Sequence, residues 1–183
     1  MKLAVSLVLL IGLPALAQPV DTSLWSPARI ARFKEVSKMK FADAAIATVR
    51  IPRLGLEARV FHGSDDLTLD RGLGWIPYTA RPGSTGNIGI AGHRDSFFRA
   101  LKDITLDDRI ELRTGNQVRT YRVSSMTVVK PSQVEVLAPT SDAVLTLVTC
   151  YPFYSRGEAP NRMIVRSVED QQTESTDMAS GTK

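Results

Sequence analysis

From about residue 44 onward the chain is a series of short apolar runs broken by Gly and Pro. Residues 46–51, Ile-Ala-Thr-Val-Arg-Ile, read as a strand that stops at Pro52, which has no N–H to give to a ladder. Residues 58–61 read as a second strand, ended by Gly63. Ser64 ahead of Asp65-Asp66-Leu67 predicts a capped turn of helix with acids at its N-terminal end. Residues 82–87, Pro-Gly-Ser-Thr-Gly-Asn, are dense in turn formers. Residues 88–92, Ile-Gly-Ile-Ala-Gly, read as a strand whose small side chains let neighbouring chain come close. Phe97, Ala100, Leu101 and Ile104 would share one face of a short helix over residues 96–104. Residues 109–113 and 118–129 read as a hairpin turning at Thr114-Gly115-Asn116-Gln117. A loop with one helical turn fits residues 131–137.

The run Val144-Leu145-Thr146-Leu147-Val148-Thr149-Cys150 reads as a buried strand. Tyr151-Pro152-Phe153 then closes it, and after a loop over residues 151–161 a last strand fits residues 163–168. Residues 169–183 are polar and without period, which predicts a disordered tail. Many short strands with few, short helices predict an all-β barrel or sandwich.

The N-terminal part follows other rules. Lys2 precedes an apolar run over residues 3–17 that ends Ala15-Leu16-Ala17, the pattern of a secretory signal peptide. As a helix the run would rise roughly 22 Å, short of a ~30 Å hydrocarbon core. An uncleaved membrane anchor is the competing reading, and either places the domain outside the cytoplasm. Residues 18–44 are a polar link and then a helix, with Ser26 as N-cap and Pro27 at its first position. Ile30, Phe33, Val36 and Met39 recur at helical spacing, while Arg29, Arg32, Lys34, Lys38 and Lys40 face a single acid, Glu35. Such a helix could lie on an anionic membrane surface. The preferred reading is that it docks its apolar side on the domain and leaves its charges in water.

Length and charge narrow the classes. The 183 residues suffice for one domain with a real core. A net charge of +4 and a pI of about 9.4 suit an anionic membrane face or wall polymer. There is no dense basic block or nucleic-acid motif, so no nucleic-acid partner is expected. One Cys and two His make no metal constellation, and neither metal nor cofactor is expected. A lone thiol in an exported chain is a hazard unless it is buried and inert or put to use.

A thiolate nucleophile needs a base or cationic partner. His93 is the better candidate, since Ala91-Gly92-His93-Arg94-Asp95 puts it just past the small-residue strand. His62, before Gly63, has the position of a turn residue. A thiol attacking a carbonyl also needs a donor for the developing oxyanion. Arg156 and Arg162 both follow the cysteine. Arg162 opens the last strand and would be held by it, whereas Arg156 sits beside Gly157 in a loop. The plain alternative for Arg162 is a solvated charge at a strand end.

Gly92-His93-Arg94-Asp95, then Thr146-Leu147-Val148-Thr149-Cys150, then Arg162 with Met163-Ile164-Val165, resemble the sortases, cysteine transpeptidases of bacterial surfaces. Ile51-Pro52, Gly83, Gly86-Asn87 and Tyr151-Pro152-Phe153 add to the likeness, the last triplet in the manner of the class D branch. The resemblance covers residues 45–168 and departs at Asp107-Asp108, where the family commonly has Gly-Asp, and at His62. It implies an eight-stranded β-barrel in which Cys150, His93 and Arg162 meet at one groove. It also implies cleavage of an LPxTG-like sorting signal after Thr, with the acyl group passing through a thioester to an amine acceptor, a cell-wall precursor or a pilin. A cysteine endopeptidase that uses water, or a non-catalytic surface-binding barrel, would be built from the same residues.

The expected divisions are therefore a signal peptide or anchor at 1–17, a linker and basic helix at 18–44, the catalytic domain at 45–168 and the tail at 169–183. The expected location is extracytoplasmic, at the membrane, in the periplasm or on the cell surface.

Overall fold

The computed structural model describes residues 20–154 and 158–170. The expected signal or anchor, Arg156, and residues 171–183 of the expected tail lie outside the described residues.

Strand β1 (Ala47–Ile51) buries Ala47, Val49 and Ile51, the alternate positions of a strand with one face on a core. Pro52 ends it, and the 3₁₀ turn Pro52–Leu54 closes through Gly55, whose φ of +61° suits glycine. Next come β2 (Leu56–His62), helix α2 (Asp66–Arg71), β3 (Leu73–Trp75) and β4 (Asn87–Gly92). The hairpin of β5 (Arg109–Thr114) and β6 (Gln117–Val129) pairs Thr114 with Gln117. The chain ends in β7 (Val144–Tyr151) and β8 (Asn161–Glu169). The strands close a barrel in the order β1-β2-β3-β4-β7-β8-β6-β5, the eight-stranded architecture expected. β2/β3 and β4/β7 pair in parallel and the other neighbours antiparallel. Leu73, Ile88, Ile90, Leu112, Leu145 and Leu147 fill the interior.

Helix α1 (Pro27–Val36) starts as expected, with Ser26 Oγ accepting from the Arg29 N–H at 3.3 Å. It docks through Val36, which is fully buried, and through an edge-to-face cluster of Trp25, Phe33 and Phe97. Its charges are not all left in water: Arg29 and Arg32 both pair with Asp70 of α2. Among the described residues no helix is long and apolar enough to cross a membrane.

Four local expectations change. The cap of α2 is Asp65 rather than Ser64, because the Asp65 carboxylate can take both the N–H and the hydroxyl of Thr68. Residues 96–104 do not form an α-helix; after a series of turns they tighten into a 3₁₀ helix at Arg99–Asp103, with i→i−3 bonds such as Leu101 N–H to Phe98 O at 3.1 Å. Burial of both Phe97 and Phe98 needs two adjacent positions turned inward, which one helical stripe does not supply. Strand β3 was not anticipated at all. Finally, Glu169 belongs to β8 and not to a tail, since Arg119 grips its carboxylate at 2.6 and 3.1 Å. Asp107 takes a φ of +66°, the left-handed region where the family's glycine would sit without strain.

Candidate active site

The pairing of three strands assembles the groove. Cys150 sits near the end of β7, directly opposite Arg162 of β8 in the antiparallel register. Directly opposed residues project to the same side of a sheet, with Cβ atoms typically about 4.5–5.5 Å apart. On the other flank of β7, Thr149 pairs with Gly92, the last residue of β4. The Thr149 hydroxyl donates to the Gly92 carbonyl at 2.8 Å. Cys150 follows Thr149 within β7 and His93 follows Gly92 just past the end of β4, so one hydrogen bond ties the two backbones together immediately before the thiol and the imidazole. Arg162 lies inside β8 rather than at its opening, because the strand begins at Asn161.

The three side chains line one open groove of about 1110 Å³, together with Arg94, Phe153 and Tyr154. Cys150 is a free, half-buried thiol. Arg94 Nη1 donates to the Pro152 carbonyl at 2.9 Å, and Arg99 Nη1 donates to the Phe153 carbonyl at 2.5 Å. Arg99 also lies over the Tyr154 ring, 4.3 Å from its centroid. The turn after His93 therefore holds the segment after Cys150.

The small residues of β4 have a visible use. A Cβ on Gly92 would stand 2.6 Å from Phe98 and 2.7 Å from Leu73, so the backbone next to His93 can pack there only as glycine. Asn87 at the far end of β4 is buried; its amide donates to the carbonyls of Val136 and Ala138, and its oxygen accepts from the Thr146 hydroxyl. Those bonds hold the connection between β6 and β7 against the sheet.

His93 is mostly buried, its side chain 13% exposed. Its Nε2 stands 3.5 Å from Asp70 Oδ1 yet has no hydrogen-bond partner among the described residues. Asp70 is already taken: Arg29 Nη1 reaches Oδ1 at 2.6 Å and Arg32 Nε reaches Oδ2 at 2.8 Å. Arg29 Nε also donates to Asp95 at 3.0 Å. Burial holds the His93 pKa below the ordinary 6.5 and the Arg29 charge adds to the shift, while Asp70, Asp95 and Asp66 oppose it without reversing it. The Arg162 guanidinium donates to the carbonyls of Ala159 and Asn161, at 3.2 and 3.0 Å, and meets no carboxylate among the described residues. His62 lies elsewhere, exposed at the end of β2 with its ring edge on Trp75.

The family model of the sortase domain matches residues 49–170. The chain belongs to the sortase family. It is similar to sortase D of Bacillus subtilis, 29% identical over 122 residues that make up 66% of this chain and 62% of that protein. It thus spans about three fifths of that relative's length. Among solved structures it is similar to the sortase D5 transpeptidase of Clostridium perfringens, with 27% identity and a TM-score of 0.64, over 77% of this chain and 88% of that one. A lid mutant of sortase A from Corynebacterium diphtheriae gives 27% identity and a TM-score of 0.67, over 81% and 82%. Two of these three sortases are of the D type, in keeping with the Tyr151-Pro152-Phe153 triplet.

Arg94 and Arg99, which line the groove, and Asp70, which lies behind His93, were not anticipated as site residues. Arg94 stands in the Gly92-His93-Arg94-Asp95 motif, but nothing in the local pattern marks Asp70 or Arg99; each of the three acquires its place from a contact with residues far away in the chain.

Proposed function

We propose that the chain is a cysteine transpeptidase acting on an LPxTG-like sorting signal. The observation that carries this is the register: Cys150 faces Arg162 across β7/β8, and His93 follows the residue paired with Thr149, all on one groove. The Cys150 thiolate attacks the carbonyl carbon of the sorting-signal Thr. The resulting oxyanion is stabilised by the Arg162 guanidinium, which the strand holds in place before substrate arrives. As the C–N bond breaks, the His93 imidazolium gives its proton to the leaving amine. A thioester remains on Cys150. An acceptor amine, from a cell-wall precursor or a pilin lysine, then attacks it; His93 takes the amine proton, and the C–S bond breaks to return the thiolate.

Attack requires the thiol deprotonated, while release of the leaving amine requires the imidazole protonated. A bell-shaped pH dependence of the rate follows. The proposed location is the extracytoplasmic face of the membrane or the cell surface, where such acceptors occur.

The test is incubation with an LPxTG-like peptide and triglycine, with products read by mass spectrometry. A ligated peptide–triglycine product that depends on Cys150 is expected. Cleavage without ligation at saturating amine would make the protein an endopeptidase. No cleavage, together with an unreactive Cys150, would leave a non-catalytic surface-binding barrel.

A further inference from the structure

Three groups come together behind the imidazole that the proposed reaction leaves unused: Asp70 of α2 and Arg29 and Arg32 of α1. Asp70 is nearly enclosed, its side chain 5% exposed, and the oxygen nearest His93 Nε2 is the one that Arg29 holds at 2.6 Å. A charged guanidinium at that distance outcompetes a neutral imidazole at 3.5 Å for the same lone pairs. His93 Nε2 is left buried and unpaired, with Asp70 Oδ1 close by. A buried ring N–H without an acceptor is costly, so any loosening of Arg29 delivers the carboxylate to His93.

We propose that Asp70 is the positioning residue of His93, keeping the imidazole proton on Nε2, and that Arg29 of the N-terminal helix sets how much of that carboxylate the imidazole receives. With the proton on Nε2, the lone pair is on Nδ1, the nitrogen left to exchange a proton with Cys150. Arg29 and Arg32 precede the family-matched residues 49–170, so this control belongs to the N-terminal segment and not to the sortase domain. The helix thereby becomes a tuner of the base: docked, it draws Asp70 away and disfavours the imidazolium; displaced, it would strengthen the imidazole as a base. The significance for turnover rests on the transpeptidase reading, whereas the tautomer and its titration do not.

The charged and titratable groups around His93 are Arg29 and Arg32 from α1, Asp66 and Asp70 from α2, Arg94 and Asp95 from the turn after β4, and Cys150, Arg162, Arg99 and Glu158 on the groove side. Removing the Asp70 charge and removing the Arg29 charge should therefore act in opposite directions. The chain has only two histidines, so a His62→Gln background leaves one imidazole to observe. Long-range proton–nitrogen NMR on nitrogen-15 histidine label then reads both tautomer and midpoint.

The parent should show the Nε2–H form. Asp70→Asn should mix the tautomers and move the midpoint down. Arg29→Gln should move it up, by on the order of tenfold in the proton dissociation constant. Arg32→Gln, which relieves Asp70 without touching Asp95, should move it the same way by less. This last variant decides the matter if Arg29→Gln fails to fold by circular dichroism. Midpoints that all stay at the parent value, or that all move in one direction, would overturn the proposal. Both readouts come from resting protein, so a failed ligation assay would sink the transpeptidase reading alone.

Discussion

Thr149→Val tests the strand-end hydrogen bond with little change of shape. The hydroxyl is 2% exposed with its residue and donates to the Gly92 carbonyl at 2.8 Å. Valine keeps the outline and the strand preference but cannot donate. Gly92 is itself buried, so its carbonyl loses a partner in a place where water does not readily replace it. The expected cost is about 1–3 kcal/mol of folding free energy, the price of one orphaned buried acceptor. The functional cost comes from geometry, since Cys150 and His93 are the next residues along. A displacement of about 1 Å between reacting groups can cost on the order of 10²-fold, so kcat/KM should fall tenfold to a hundredfold. Urea unfolding should show a lower midpoint with an unchanged slope, and peptide cleavage at a temperature where the variant is folded gives kcat/KM. Thr149→Ser keeps the donor and should retain most of the activity. If Thr149→Val unfolds within about 0.5 kcal/mol of the parent and cleaves at the parent rate, the bond does not set the site.

Arg162→Ala should lower kcat by on the order of 10²–10³ if the guanidinium stabilises the oxyanion, while Arg162→Lys keeps the charge but loses the fork and should recover little; steady-state turnover checks both. Gly92→Ala places a methyl 2.6 Å from Phe98 and should destabilise the fold by about 1–3 kcal/mol, measured as a lower thermal midpoint. The pH dependence of stability carries a signature of His93. Its folded pKa lies below 6.5, so as pH falls through about 6.5 the unfolded chain takes up a proton before the folded one does. Stability should therefore drop below about pH 6.5, and the drop should be shallower in His93→Gln when urea midpoints are compared pH by pH.

The barrel was legible because its strands carry their own periodicity and stops. β1 ends where Pro52 must end it, and the hairpin of β5 and β6 turns where Gly115 allows a φ of +57°. β7 was visible as a β-branched run, and its thiol as the only one in the chain. β3 was invisible for a physical reason: three residues are too few to show a period of two, and Leu73-Gly74-Trp75 becomes a strand only between β2 and β4. The basic helix was legible as a helix, but the partners of Arg29 and Arg32 were not, since the acid that holds them lies 41 and 38 residues on. The same holds for Asp70 behind His93. Local sequence records propensity and punctuation, whereas a buried carboxylate shared by two guanidiniums exists only after the barrel and the helix have met.

The proposed reaction requires that substrate acylate Cys150. Intact-protein mass spectrometry after rapid mixing with an LPxTG-like peptide, quenched in acid, detects that acyl-enzyme. An adduct equal to the peptide acyl fragment ending at Thr is expected, released by added amine and absent from Cys150→Ala. An adduct that persists in Cys150→Ala, or cleavage by the parent protein with no adduct under any amine-free condition, would contradict the proposed reaction.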